Sequence, residues 1–135
     1  MNEEEIKNKL SEEEYEVLRM KGTEAPFTGK YVDENSAGIY KCKVCGQVLF
    51  DHKAKMNSHE GPVGLQGWPS FSEAVPGSIE YRPDDSHGMQ RTEVVCSKCK
   101  SHLGHLFDDD HSATGKHLCI NSVCLDLEKK DEKAN

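Results

Sequence analysis

The chain has 135 residues, with 24 Asp+Glu against 17 Lys+Arg and a formal net charge of -7. That length fits one domain, and the acidic balance excludes nucleic acid or an anionic membrane as a natural partner, since both need a basic surface. Hydrophobic residues make up 35% and aromatics 7%, a lean core that would gain from a metal or covalent cross-link.

The opening residues, Met1-Asn2-Glu3-Glu4-Glu5, are acidic, unlike the basic start of a signal peptide, and no apolar run approaches the roughly 18 residues of a membrane span. The expected location is therefore the cytoplasm, where paired cysteines hold metal or do redox chemistry more often than they form structural disulfides. Residues 1–20 are Glu/Lys-rich and read as helix, with Ser11 and Glu14 spaced as a capping box and Tyr15 and Leu18 on one face. The first ten residues are expected to be a flexible acidic end, 11–127 the domain, and 128–135 a charged disordered tail.

Between the ends, short apolar stretches separated by Gly, Pro, Asn, Asp and Ser read as strands. They are Gly38–Tyr40, Gln47–Phe50, Ser78–Tyr81, Thr92–Val95, His102–Phe107 and one long stretch, Leu118–Leu127. No helical crossovers lie between them, so the fold class is mainly β, with antiparallel strands and short α.

The strongest local signal is a repeated spacing. Cys42-Lys43-Val44-Cys45 and Cys96-Ser97-Lys98-Cys99 are each C-x-x-C, 50 residues apart. Two residues between thiolates let a tight turn aim both sulfurs at one ion, and two such turns complete a tetrahedral four-sulfur shell, the usual home of Zn2+. Such a shell leaves no open coordination position, so the ion would be structural. Lys43, Lys98 and Lys100 are expected to offset its negative charge. A thioredoxin-type redox pair is the competing reading, but that pair usually comes singly and opens a helix.

Cys119 and Cys124 remain. Cys119 reads either as a small hydrophobe in a strand or as a nucleophile; Asn121 and the nearby His102-Leu103-Gly104-His105 argue for the second. Residues three apart on a regular strand point to opposite faces, and a bulge at Gly104 would bring both imidazoles to one side.

Several segments together resemble the B-type methionine sulfoxide reductases, the peptide-methionine (R)-S-oxide reductases, in their zinc-binding form. They are Lys21-Gly22-Thr23-Glu24-Ala25-Pro26-Phe27-Thr28-Gly29, Gly38-Ile39-Tyr40 leading into the first cysteine pair, Gly67-Trp68-Pro69-Ser70-Phe71, and Ser86 to Val94 before the second pair. His102 to Asp109, Thr114-Gly115 and Cys119-Ile120-Asn121-Ser122 follow. The ordered set covers about Ser11 to Leu125.

The resemblance implies two small antiparallel sheets with short flanking helices, and a zinc on the side away from the active site. It implies Cys119 as the catalytic cysteine and Trp68 as the wall for the substrate's methyl group. His102, His105 and Asn121 would surround the sulfoxide, with Thr23 and Phe107 lining the pocket. Implied partners are oxidised proteins carrying methionine (R)-sulfoxide, and thioredoxin or another thiol; a monomer is expected. The chemistry suits these residue types: a sulfoxide oxygen leaves only when protonated, so the site needs a thiolate on one side and a proton donor on the other. Attack leaves methionine and a sulfenic acid on Cys119.

Three departures stand out. Many relatives carry a resolving cysteine two residues before the tryptophan, where this chain has Gln66. Recycling is then open to Cys124, to direct attack by thioredoxin or a small thiol on Cys119, or to the metal-site thiols. On one regular strand Cys119 and Cys124 would face opposite ways, about 16 Å apart, too far for a direct bond. His117-Leu118 replaces an Arg-aromatic pair common before the catalytic cysteine, so His117 keeps a cationic role only when protonated. The stretch Glu60 to Leu65 also differs from the usual loop. His52, His59, His87 and His111 are most simply surface or turn residues. The alternative reading is a non-enzymatic zinc-knuckle β domain acting as a binding or chaperone module.

Overall fold

The computed structural model describes residues 2–57, 59, 64–85, 88, 90–110 and 112–130. His87, His111, residues 60–63 of the unusual loop, and 131–135 of the tail lie outside the described residues.

The N-terminal segment forms two helices rather than one. Helix α1 spans Glu3–Lys9 and α2 spans Glu12–Met20. The break falls at Ser11, whose hydroxyl accepts from the Glu14 amide while the Glu14 side chain accepts from the Ser11 amide, the reciprocal cap that the spacing predicts. The acidic start is helical: Asn2 caps α1, Glu3–Glu5 sit in its first turn where the helix dipole favours acids, and Ile6 and Leu10 are buried. Lys9 Nζ donates to the Val44 carbonyl at 2.6 Å, and Arg19 to the Cys99 carbonyl at 2.9 Å. Both helices are thus pinned to the cysteine turns. Among the described residues no helix is long and apolar enough to cross a membrane.

Among the described residues nine strands follow: β1 Gly38–Cys42, β2 Val48–Asp51, β3 Lys55–Met56, β4 Ser70–Phe71, β5 Ile79–Asp84, β6 Arg91–Cys96, β7 His102–Asp108, β8 Lys116–Ile120 and β9 Leu125–Lys129. They make two antiparallel sheets, one ordered β2-β1-β9 and the other β3-β4-β8-β7-β6-β5. The expected fold class holds. The long stretch Leu118–Leu127 is not one strand: a 3-10 turn at Ser122–Cys124 splits it, sending β8 into the larger sheet and β9 into the smaller. The 16 Å separation inferred for Cys119 and Cys124 therefore does not apply. Glu128 and Lys129, expected in the tail, pair with Ile39 and Gly38.

The sheets meet through an aromatic core. Phe50 of β2 stacks on Phe71 of β4 with centroids 4.2 Å apart, and Tyr40 of β1 meets Phe71 edge-on at 5.1 Å. Such pairs contribute about 1 kcal/mol each beyond their buried area. With Leu103, Leu118 and Ile120 they fill the apolar face of the larger sheet. Its opposite face carries polar groups, a division set by the two-residue period of side chains along a strand.

One irregularity shapes that polar face. Val94 pairs with Gly104 and the next residue, Val95, pairs with His102, so β7 carries Leu103 as an extra residue. The bulge thus sits at Leu103, one residue before the expected position. Gly104 has a different task. A Cβ there would lie 1.9 Å from the Cys119 carbonyl oxygen, so only glycine lets β7 approach β8 this closely.

Candidate active site

One rung of the larger sheet aligns Cys119 with His105. Ser70, Cys119, His105 and Glu93 are direct partners across β4, β8, β7 and β6. Direct partners hold their Cβ atoms about 5 Å apart, which sets Cys119 between a hydroxyl and an imidazole. His117 and Phe107, paired with each other two positions along, share this face. The Leu103 bulge rotates His102 onto it as well, and the His102 and His105 rings lie 5.3 Å apart, edge to face.

Six of the residues expected at the site, Thr23, Trp68, His105, Phe107, Cys119 and Asn121, line a single cleft of about 90 Å³. Leu65 and Arg91 complete its wall. His102 stands behind the cleft, buried beside His105. A wider groove of about 440 Å³, between Val32–Asn35 and His52–His59, contains no cysteine. There His52 braces Gly38 and exposed His59 pairs with Asp33, the ordinary roles expected of both.

Each imidazole is backed by a carboxylate. His105 Nε2 lies 2.7 Å from Asp84 Oδ2, and His102 Nδ1 lies 2.8 Å from Glu93 Oε2. Lys21, the left-handed residue that ends α2, reaches both carboxylates, at 3.6 Å from Asp84 and 3.5 Å from Glu93. Burial lowers the pKa of both histidines, outweighing the carboxylates that favour protonation. Both are therefore neutral at pH 7. Each gives its N–H to a carboxylate, which leaves the second ring nitrogen as a lone-pair acceptor.

Cys119 is also uncharged at rest. Burial pushes its thiol up to about 12, and the Glu24 carboxylate nearby pushes the same way. The resting site is thus a neutral thiol beside neutral imidazoles.

Thr23 brings the start of segment 23–29 to the cleft, where Asn121 ties it down. The Asn121 Oδ1 accepts from Thr23 Oγ1 and the Glu24 amide, each at 3.1 Å, while its Nδ2 donates to the Leu103 carbonyl at 3.1 Å. Asn121 therefore clamps the closing segment to the bulge. Trp68 Nε1 donates to the Glu24 carbonyl at 2.9 Å, fixing the indole as one wall. Gly67 makes the join: its φ is 102°, and a Cβ there would lie 2.7 Å from Pro26. The burial of Glu24, like the two carboxylates and Arg91, escapes sequence reasoning, because the partners are distant in the chain. Their only signal is that Glu24, Arg91 and Glu93 fall inside the quoted segments.

Cys124 does not open onto the cleft. It is fully buried in the 3-10 turn, its thiol donates to the His102 carbonyl at 3.3 Å, and burial pushes its pKa up.

The other four cysteines form a second site. The Sγ atoms of Cys42, Cys45, Cys96 and Cys99 all lie within 4.8 Å of one another, with Cys42–Cys99 and Cys45–Cys96 at 3.6 Å. A tetrahedral ion with metal–sulfur bonds near 2.3 Å needs sulfurs about 3.8 Å apart, so this donor set fits a metal ion. Two of the three lysines expected to offset the shell point elsewhere, because carboxylates claim them. Lys43 reaches Asp126 and Lys100 reaches Glu80. Gln47 Nε2, 3.5 Å from Cys96 Sγ, faces the shell instead.

Comparison with known proteins places the chain in a family. Residues 10–129 match the SelR domain family. The chain is 53% identical over 126 residues to a peptide methionine sulfoxide reductase MsrB of Pseudomonas fluorescens, covering 92% of each chain. Proteins of the same name from Pseudomonas putida and Pseudomonas savastanoi are 50% and 52% identical, covering 94% and 92% of this chain and 93% and 91% of theirs.

Proposed function

The chain belongs to the SelR-domain family of B-type peptide methionine sulfoxide reductases, and from that premise we propose that Cys119 is the nucleophile with which it reduces methionine (R)-sulfoxide in oxidised proteins. The observation that carries this reading is the rung that sets Cys119 opposite His105, in a cleft walled by Trp68.

The substrate's methyl group lies on the Trp68 face, as sulfur and methyl groups favour aromatic surfaces. Its oxygen points toward His105. Entry of the sulfoxide expels water, and the free lone pair of His105 takes the Cys119 proton, giving thiolate and imidazolium together. Asp84 stabilises that imidazolium, and the His102–Glu93 pair supports it from behind. The thiolate attacks the electrophilic sulfur while the imidazolium delivers its proton to the oxygen. In net terms the oxygen passes from methionine to Cys119: the substrate sulfur is reduced by two electrons and Cys119 becomes a sulfenic acid. An external thiol then attacks that sulfenic sulfur and releases water. A second thiol splits the mixed disulfide, restoring Cys119.

Thioredoxin or a small thiol acting directly fits the buried Cys124 and the Gln66 substitution better than an internal disulfide. The four-cysteine site would hold zinc through Cys42, Cys45, Cys96 and Cys99, where the ion supplies a cross-link and takes no part in the reaction. Six cysteines with no disulfide between them suit a reducing cytoplasm, and the net charge of -7 disfavours nucleic acid. The non-enzymatic module is not favoured, because Cys119 opens onto the cleft among the groups the reaction needs.

The test is to incubate the metal-loaded protein with a racemic peptide methionine sulfoxide and dithiothreitol. Half of the substrate should be consumed, the R epimer alone. Turnover by Cys119→Ser at the wild-type rate would overturn the assignment.

A further inference from the structure

Four thiolates around one divalent ion leave an excess of negative charge. Lys43 and Lys100 are held by carboxylates away from the shell, and Lys98 is exposed. Two other side chains reach the sulfurs instead. Ser101, fully buried between β6 and β7, has its Oγ 3.1 Å from Cys99 Sγ. The Ser101 oxygen accepts from Arg19 Nη1 at 3.0 Å. A guanidinium can only donate, so the single hydroxyl hydrogen is left for the Cys99 thiolate. Arg19 sits on α2, donates from the same nitrogen to the Cys99 carbonyl at 2.9 Å, and is clasped by Glu3 of α1.

Gln47, two residues after Cys45, serves Cys96. Its Nε2 lies 2.9 Å from the Ser78 carbonyl, 3.1 Å from Ser97 Oγ and 3.5 Å from Cys96 Sγ. A backbone carbonyl only accepts, which fixes the nitrogen of the amide, and not its oxygen, on this side. One amide hydrogen goes to Ser78. Ser97 spends its own hydrogen on the Gly77 carbonyl at 2.8 Å. The second amide hydrogen is therefore divided between Ser97 Oγ and Cys96 Sγ. On the other half of the shell, among the described residues, Cys42 and Cys45 meet no side-chain donor besides the sulfurs.

We propose that the loaded shell is held unevenly: Ser101, oriented by Arg19, donates to the Cys99 thiolate, Gln47 donates to the Cys96 thiolate, and these two donors retain the metal. The proposal rests on the reading of the four cysteines as a metal site. Hydrogen bonds to ionised sulfur are charge-assisted, so they strengthen when the ion displaces the thiol protons. The helix pair α1–α2 thereby acts on the ion through Arg19, besides packing on the cysteine turns.

The test compares the wild type with Ser101→Ala and Gln47→Leu. Each protein is loaded with Zn2+ and titrated with a competing chelator at neutral pH, and circular dichroism reports the fold. Each is also loaded with Co2+, and the sulfur-to-cobalt charge-transfer band is recorded. Both variants should bind Zn2+ about 10-fold or more weakly, the range for partners that orient metal ligands. Their bands should move to longer wavelength, since a thiolate without its hydrogen bond releases electron density more readily. Loss of packing alone would not move the band. Ser97→Ala leaves the Gln47 hydrogen wholly to Cys96, so it should keep the wild-type affinity. Unchanged affinity in a folded variant, weaker binding with an unmoved band, or Ser97→Ala as weak as Gln47→Leu overturns the proposal; either donor variant suffices if the other does not fold. A wild type that takes up neither ion sinks the metal reading and this proposal with it, whereas a wild-type band that the variants leave in place sinks the proposal alone.

Discussion

The His102 and His105 rings stand 5.3 Å apart, edge to face, and each is held from behind by its own carboxylate. They lie three positions apart on one strand, and the Leu103 bulge is what turns them to the same side. The pairing gives the two rings unequal jobs. His105 lines the cleft opposite Cys119, whereas His102 is enclosed next to it.

Replacing His105 by Asn should therefore lower kcat by about 100-fold or more, the range for a general acid. Asp84→Asn should lower kcat less and shift its pH profile, because the imidazole keeps its place but loses the charge that stabilises its protonated form. Burial lowers both histidine pKa values, so their neutral forms are favoured in the fold and this contribution to stability is lost as pH falls below about 6.5. Steady-state kinetics from pH 5 to 9 check the first point. Equal losses in both variants with unchanged profiles would argue against the separate roles.

The Cys119 thiol, pushed up to about 12 by burial and Glu24, should react slowly with iodoacetamide at pH 7 in the absence of substrate. An unfolded cysteine ionises near 8.5, so the folded state binds the extra proton above that pH. Stability should accordingly fall as pH rises from about 8.5 toward 12. Cys119→Ser removes that share of the slope. Alkylation followed by mass spectrometry, with melting curves at pH 8 and pH 10, tests both statements.

Treatment with methionine sulfoxide and no reductant should add one oxygen to Cys119, trapped by dimedone in mass spectrometry. A Cys119–Cys124 disulfide should be absent. Cys124 is held in the 3-10 turn by its contact with the His102 carbonyl, by the hydrogen bond from the Lys43 amide to its own carbonyl, and by Glu24 on the Val123 amide. Detection of that disulfide as the main product would show that the turn opens during the cycle.

Cys96→Ser should release the metal and unfold much of the chain, since a structural zinc site supplies on the order of 10 kcal/mol in small domains. The four sulfurs join the β1–β2 turn to the β6–β7 turn, and both helices dock on those turns through Lys9 and Arg19. Cys119→Ser should keep the metal and the fold while losing activity. Metal analysis and circular dichroism separate the two variants; identical behaviour would refute the division of the cysteines.

The sequence by itself determined the features that local chemistry encodes. The four-cysteine spacing, the Ser11–Glu14 cap, five of the strands and the residues gathered around Cys119 all follow from short-range pattern and family resemblance. Tertiary structure decided what depends on contacts between distant segments. Whether Leu118–Leu127 is one strand or two turns on a 3-10 bend between sheets, because both halves carry the same apolar character. Where the bulge falls depends on the register against β6, which neither Leu103 nor Gly104 signals alone. The protonation of the site was beyond pattern for the same reason: Glu24, Asp84, Glu93 and Asp109 are ordinary acids in the sequence. Only folding removes them from water and sets Asp84, Glu93 and Asp109 each beside a histidine and Glu24 near Cys119.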